Sequence, residues 1–288
     1  MVSLSSPNFW RDIKKVLGIA QNDSGVDYVV MDHGAEMNVI VRTAEELFSS
    51  TVSTHLSGMH VVVNGNYFGL TTMGKVDVAW GHDPVPAADT LIEGRVVSGG
   101  GVIAGDSRPL LFWFGQVATP KFGKFARTYQ AGAGDPPLAP TTVSAIGGVG
   151  PLIIDGLQHG AGNEYRKGAP AAAPLTGAPS AAAAPFLSQR NNATFVSAET
   201  RPVQTGKTIL ASHSANRMLL VAVQPNAVSP GMSYTAIRDT LVTLGFDQAV
   251  FLDGSDSAFM TVGGRWLSSP GANKDEGMVV GIGFKWHP

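Results

Sequence analysis

Two segments concentrate residue types that could do chemistry. The first is Val61–Phe68, VVVNGNYF. Three β-branched residues run straight into Asn64, Gly65 and Asn66. A strand ending this way presents small polar groups at a sheet edge, where α/β proteins place ligands. An Asn amide both donates and accepts, so Asn64 and Asn66 suit sugar hydroxyls or a phosphate oxygen. The same Asn-Gly pair could instead make a tight turn between two strands. The second segment is Ala249–Met260, AVFLDGSDSAFM. Again an apolar strand ends in an acid, followed by small residues. Asp253 and Asp256 could act as paired carboxylates, and Ser255 and Ser257 offer hydroxyls. A turn of such small residues also exposes backbone amides to an anion. An Asx-type turn between strands is the plain structural alternative.

Two weaker segments lie between and after these. Ser144–Gly156, SAIGGVGPLIIDG, has glycines that allow close backbone approach to a ligand, and Asp155 ends its apolar run. It is neither a Walker loop nor a G-x-G-x-x-G fingerprint, and a structural turn is the plainer reading. Lys207–Arg217, KTILASHSANR, offers His213 as a general base of near-neutral pKa. Lys207 could meet an anion as a point charge. A lone His near a strand end is more often structural. No G-x-S-x-G elbow or H-E-x-x-H zinc motif is present. His33, His55, His60, His82, His159 and His287 show no metal-ligand spacing, which disfavours zinc. Calcium suits the many acids and amides, but no loop demands it and no ligand set can be named.

These residues must be held by a scaffold whose nature composition already bounds. A chain of 288 residues makes one large domain or two small ones. Its net charge of −2 argues against a nucleic-acid binder resting on phosphate neutralisation. The absence of cysteine excludes disulfides, zinc–thiolate sites, iron–sulfur clusters and a Cys nucleophile. Glycine supplies 35 residues, above the usual ~7%, and favours short strands and many turns. No stretch approaches the roughly 18 apolar residues of a membrane span. Met1–Gln21 reads as an amphipathic helix, from near Ser6 to Gly18, rather than a signal peptide. The chain is therefore expected to be cytoplasmic by default, or exported or virion-associated by another route.

Strands are expected at Val26–Asp32, Met37–Thr43, His60–Val63, Leu110–Phe114 and Leu152–Ile154. More follow at Thr208–Ser212, Met218–Val223, Ala249–Leu252, Ala258–Val262 and Met278–Phe284. A short helix fits Ala44–Phe48. The clearest helix is Ser233–Leu244, capped by Ser233 and stopped by Gly245. Its place between two strands predicts one crossover unit. Gly168–Pro185 is low-complexity Ala/Pro and reads as a surface loop.

Taken in order, the motifs resemble the phosphodiester glycosidase family, that of the lysosomal uncovering enzyme, from about residue 25 to 286. Asn64, Gly65 and Phe68 match that family's Asn-Gly-Gly-Phe-Phe, while Asn66 and Tyr67 differ. Leu252, Asp253, Gly254 and Ser257 match its Leu-Asp-Gly-Gly-Gly-Ser, with Ser255 and Asp256 in place of two glycines. Lys207-Thr208 stands where Arg-Thr is common, keeping the charge but losing the bidentate fork.

The resemblance implies a single α/β (α+β) domain of mixed sheets, with few helices and glycine-rich loops over a cleft. Residues 1–24 would form the N-terminal helix, and 25–288 the domain, with 168–185 as an insertion. It implies a hydrolase cleaving a glycosyl phosphodiester at the anomeric side, releasing free sugar and a phosphorylated acceptor. The substrate would be an N-acetylglucosamine phosphodiester, an exopolysaccharide or wall polymer, or a small glycosylated phosphate of bacterial or phage context. Such chemistry passes through an oxocarbenium-like transition state and needs a carboxylate near the anomeric carbon. Asp253 is the first candidate, with Asp155 or Glu36 as a second. Lys207, His213 and the amides of Gly254–Ser257 would hold the phosphate. Asn64 and Asn66 would bind hydroxyls, beside Gly65, Phe68 and Thr208. No cofactor is required. The alternatives are a non-catalytic binding protein for a sugar phosphate or nucleotide-like ligand, and a phage or envelope structural component.

Overall fold

Runs such as Val26–Asp32 and Met218–Gln224 carry apolar side chains at nearly every position. Neither face of such a strand can meet water, so each belongs in the middle of a sheet covered on both sides. The computed structural model describes residues 1–41, 58–65, 68–69, 85–86, 90–92, 95–96, 110–117, 124–129, 142–147, 150–154, 156–158, 189–271 and 280–287. Its early strands are β1 (Gln21–Asp23), β2 (Val26–Asp32), β3 (Glu36–Val41), β4 (Val61–Asn64), β5 (Phe68–Gly69) and β6 (Val85–Pro86). Next come β7 (Thr90–Ile92), β8 (Arg95–Val96), β9 (Leu110–Val117), β10 (Lys124–Tyr129), β11 (Thr142–Gly147), β12 (Gly150–Ile154) and β13 (Leu157–Gln158). The last six are β14 (Lys207–His213), β15 (Met218–Gln224), β16 (Gln248–Phe251), β17 (Met260–Val262), β18 (Arg265–Ser268) and β19 (Val280–Lys285). The helices are α1 (Phe9–Ile13), α2 (Gln189–Thr200) and α3 (Tyr234–Thr243).

The strands form a seven-stranded sheet, β1-β2-β15-β14-β16-β12-β13, and a five-stranded sheet, β18-β17-β4-β19-β3. A second five-stranded sheet, β10-β9-β11-β7-β8, lies against β3, and β5 pairs with β6. This is the mostly-sheet α+β architecture that the sequence predicts. β14 runs antiparallel to both β15 and β16, so those two are parallel to each other. The chain passes between them through α3, which is the expected crossover.

Alternation along the central strands divides the core in two. Val29, Met31, Leu210, Val221 and Val250 meet Val61, Val63, Met260, Ile282 and Phe284 between the two principal sheets. Their neighbours Tyr28, Val30, Ile209, Leu220 and Phe251 point the other way. There they pack under Phe9, Ile13, Phe195, Ile237 and Leu241 from the three helices.

α3 begins where Ser233 accepts the Ala236 amide at 3.1 Å. It ends with Gly245 N donating to Val242 O and Phe246 N donating to Leu241 O, the paired bonds of a Schellman stop. α1 is shorter than the predicted Ser6–Gly18 helix. Beyond Ile13 the bonding tightens, with Val16 N on Ile13 O and Ile19 N on Val16 O, and the chain turns instead. α2 escapes prediction because its sequence, QRNNATFVSAET, is mostly polar; among its described side chains, Phe195 and Ala198 are the buried ones. Ala44–Phe48 and Gly168–Pro185 lie outside the described residues. Among the described residues no helix is long and apolar enough to cross a membrane.

Gly150 stands opposite Phe251 in the β12–β16 pairing. A Cβ there would lie 2.1 Å from the Phe251 ring. This glycine of the GGVG segment therefore makes room for a core aromatic. Gly150→Ala is expected to overpack the core and cost about 1–3 kcal/mol. Urea denaturation should show a lower midpoint at unchanged slope.

Candidate functional site

The two motif segments meet at one side chain. Asn64 is the last residue of β4, in one sheet; Thr208 and Asp253 come from β14 and the end of β16, in the other. Asn64 Nδ2 donates to Asp253 O at 2.7 Å and to Gly65 O at 3.3 Å. Its Oδ1 accepts from the Thr208 hydroxyl and from the Phe259 amide, the latter at 3.3 Å. An Asn amide has two N–H groups and two lone pairs, and here all four are engaged. Asn64 is 1% exposed. It is a brace between sheets, not the sugar ligand expected of it. Two backbone bonds reinforce it: Asp253 N to Gly65 O at 3.2 Å and Leu252 N to Thr208 O at 2.9 Å.

Beyond Asp253 the chain makes a 3-10 turn over Ser255–Ser257. Gly254 N donates to Asp253 Oδ1 at 2.9 Å, Ser255 N to Gly206 O at 2.8 Å, and Ser257 N to Gly254 O at 3.2 Å. These three amides are spent inside the protein, so they do not form the anion cradle the sequence suggests. Asp256 O accepts the Gly271 amide at 2.8 Å, tying down the far side of the turn. Ser255 has φ +57° and is exposed; Asp253 and Asp256 are partly exposed, and Ser257 is buried. The turn thus turns Asp253, Ser255 and Asp256 toward solvent.

Lys207 is not among them. Successive residues of a strand point to opposite faces. Thr208 faces Asn64, and Lys207 faces the helices with Ile209 and Ala211. It is fully buried, with Nζ donating to Pro202 O at 2.9 Å and Thr205 O at 2.7 Å. Nζ also lies 5.8 Å from the centre of the Tyr234 ring. Burial pushes the ammonium down to about 8, against an opposing pull from Glu199.

His213 and Glu36 are also elsewhere. His213 ends β14, about 20 Å along the strand from Lys207. Its Nδ1 accepts the Asn216 amide at 3.0 Å, and its ring packs edge-on against Trp10 and Phe246. Burial lowers its pKa. Glu36 pairs with Lys285 across β3 and β19, while Asn64 pairs with Gly281. That places Glu36 about 13 Å further along the strand direction and on the far side of β19, at the opposite end of the sheet. Asp155, Asn66 and the side chain of Phe68 lie outside the described residues. Among the described residues no group of three His, Asp or Glu is arranged to hold a metal ion. An open cavity of about 660 Å³ lies between Leu4–Arg11 and the end of α3, on the helical side and away from this turn.

Three residues of the site were not singled out from sequence. Gly206 carries the carbonyl that receives Ser255, and a Cβ on it would stand 2.0 Å from Ser255 O. Asn226 Oδ1 accepts the Gly206 amide at 3.0 Å. Phe259 completes the Asn64 brace with its amide. The available signal was a glycine directly before a strand, which marks a close backbone approach.

No protein-family model matches the chain, and no curated protein matches it. The fold is similar to that of the catalytic domain of zebrafish N-acetylglucosamine-1-phosphodiester α-N-acetylglucosaminidase, auto-inhibited by its pro-peptide. The TM-score is 0.54 at 17% identity, covering 91% of this chain and 76% of that one. A hypothetical protein from Synechocystis matches with a TM-score of 0.47 at 11% identity, covering 92% of this chain and 60% of that one. The relationship to the glycosidase is a distant one of fold.

Asn64→Ala is expected to cost about 3 kcal/mol or more, because it strips partners from the Thr208 hydroxyl, the Phe259 amide and the Asp253 carbonyl together. Thr208→Val should cost about 1–2 kcal/mol, and the double variant less than the sum. Urea unfolding of the four proteins measures this. Lys207 has a separate signature. Its folded pKa lies below the ordinary 10.5, so the unfolded chain binds the proton more tightly between about pH 8 and 10.5. The penalty is full below pH 8 and is relieved as pH rises through that window. The stability of the wild type relative to Lys207→Met is therefore expected to climb from pH 8 to 10.5.

Proposed function

We propose that this protein is a hydrolase that cleaves a glycosyl phosphodiester at the anomeric carbon, with Asp253 as the carboxylate serving that carbon. The observation that carries this reading is the Asn64 brace. It joins the two motif segments, clamps the main chain of Asp253 at both its N–H and its C=O, and leaves the carboxylate at the rim of the sheets. A carboxylate fixed this way needs little reorganisation when positive charge develops beside it. The distant fold likeness to a phosphodiester glycosidase supports the same reading.

In this chemistry the bond between C1 and the phosphate oxygen breaks, and its electron pair leaves with the phosphate. Water supplies the hydroxyl at C1, and its proton passes to solvent. Phosphate departs readily as an anion, so strong general-acid help is less needed than in an ordinary glycosidase, and Asp253 acts on the oxocarbenium-like centre or its attacking water. Ser255 and Asp256 flank Asp253 and would meet hydroxyls of the sugar or acceptor. These steps require no cation, and calcium is the one that the acids and amides of the chain would suit.

The test is turnover of an N-acetylglucosamine phosphodiester, a sugar nucleotide and an aryl phosphodiester, each with and without added calcium. Free sugar, with phosphate left on the acceptor, is expected at rates that calcium does not change. Asp253→Asn should lower kcat by about a thousandfold or more while ligand-induced thermal stabilisation persists. Stabilisation by the sugar phosphate without any wild-type turnover would favour a binding protein. Indifference of both turnover and binding to Asp253→Asn would remove Asp253 from the site.

A further inference from the structure

We propose that Lys207 is a positioning residue: from the helical side of the seven-stranded sheet, it fixes the peptide unit that carries the Asp253–Ser257 turn. This rests on the reading of that turn as the reactive one. The unit in question joins Thr205 to Gly206. Its oxygen accepts Lys207 Nζ at 2.7 Å, and its nitrogen donates to Asn226 Oδ1 at 3.0 Å. Gripped at both ends, the plane has one orientation, and the next carbonyl, Gly206 O, receives Ser255 N at 2.8 Å. Contact here is too close for any side chain, since a Cβ on Gly206 would strike Ser255 O. Ser255 holds a left-handed backbone conformation, and the Gly206 bond is what anchors its amide.

Gln224 sharpens the assignment. It sits directly across from Lys207 in the β14–β15 ladder, and its Nε2 also reaches Pro202 O and Thr205 O. Its bond to Pro202 O is short, at 2.6 Å, but that to Thr205 O is long, at 3.2 Å. Gln224 alone therefore keeps both carbonyls partnered while gripping Thr205 weakly. Burying an ammonium is costly, and a well-packed apolar replacement of a buried charge is often neutral or stabilising. What Lys207 adds over Gln224 is the firm hold on Thr205 O, and through it on Gly206 and Ser255. Among the described residues, the other charged or aromatic groups facing Lys207 are Glu199 on α2 and the Tyr234 ring on α3.

The experiment compares wild type, Lys207→Met, Lys207→Arg and Asn226→Ala. Asn226 is exposed, so its variant releases the same peptide unit without touching the core. Three quantities are read: urea stability at pH 7, amide hydrogen exchange at Ser255, and kcat and KM on an N-acetylglucosamine phosphodiester. Lys207→Met is expected to keep wild-type stability or exceed it. Its Ser255 amide should exchange about tenfold faster while the β14 and β15 amides do not, and kcat should fall about tenfold at nearly constant KM. Asn226→Ala should show the same pattern more weakly, and Lys207→Arg should restore protection and kcat. Unchanged Ser255 exchange in both Lys207→Met and Asn226→Ala would overturn the proposal. So would faster exchange spread through β14 and β15 with a fall in overall stability, or faster Ser255 exchange at unchanged kcat. If the wild type turns over no phosphodiester, the functional reading fails, and the exchange data still decide whether Lys207 holds the turn.

Discussion

A single carboxamide, that of Asn64, stitches the two principal sheets together at one end. Its two donors meet carbonyls and its two acceptors meet a hydroxyl and an amide, all in a buried place. A buried polar group in that position is either fully satisfied or strongly destabilising, so the geometry around it has little freedom. Thr208 fixes where β14 lies relative to β4. Phe259 fixes where the chain re-enters the five-stranded sheet. Asp253, between those contacts, is held at both its backbone N–H and its C=O, and its Oδ1 accepts the Gly254 amide. The apolar layer of Val63, Leu210, Val250 and Met260 then seals this end from water.

The same logic makes the central sheet work from both sides. Thr208 and Lys207 are neighbours in sequence and opposites in space. One faces the brace between sheets, and the other faces the helical layer and the 202–206 segment. Both converge on the turn after Asp253, through Asn64 from one side and through Gly206 from the other. The Asp253–Ser257 turn is held by two supports, one neutral and one cationic. The cationic one carries a solvation penalty that the neutral one does not.

Much of this organisation was legible in the residues. The doubly buried strands announced themselves as unbroken apolar runs, and α3 by its Ser233 cap, its spacing and its Gly245 stop. The family resemblance implied that VVVNGNYF and AVFLDGSDSAFM serve one site, and Asn64 joins the two segments. Side-chain roles were less legible, because a motif names residues without their direction. Lys207 looks like an anion ligand until the two-residue period of β14 turns it inward. Asn64 looks like a ligand until its four bonds are traced to the protein itself. His213 shares β14 with Thr208 but sits at its far end, while Glu36 lies on β3, with β19 between it and β4, at the opposite end of that sheet. α2 was invisible because polar residues dominate it, and the burial of Phe195 and Ala198 is a tertiary contact that local sequence does not display.

The central claim is that Asp253 serves carbon rather than phosphorus. Hydrolysis of an N-acetylglucosamine phosphodiester in water enriched in oxygen-18, followed by mass spectrometry of both products, tests it most directly. Attack at the anomeric carbon places the heavy oxygen in the released sugar and leaves the phosphorylated acceptor unlabelled. Heavy oxygen in the phosphate, with unlabelled sugar, would mean cleavage at phosphorus and contradict the account.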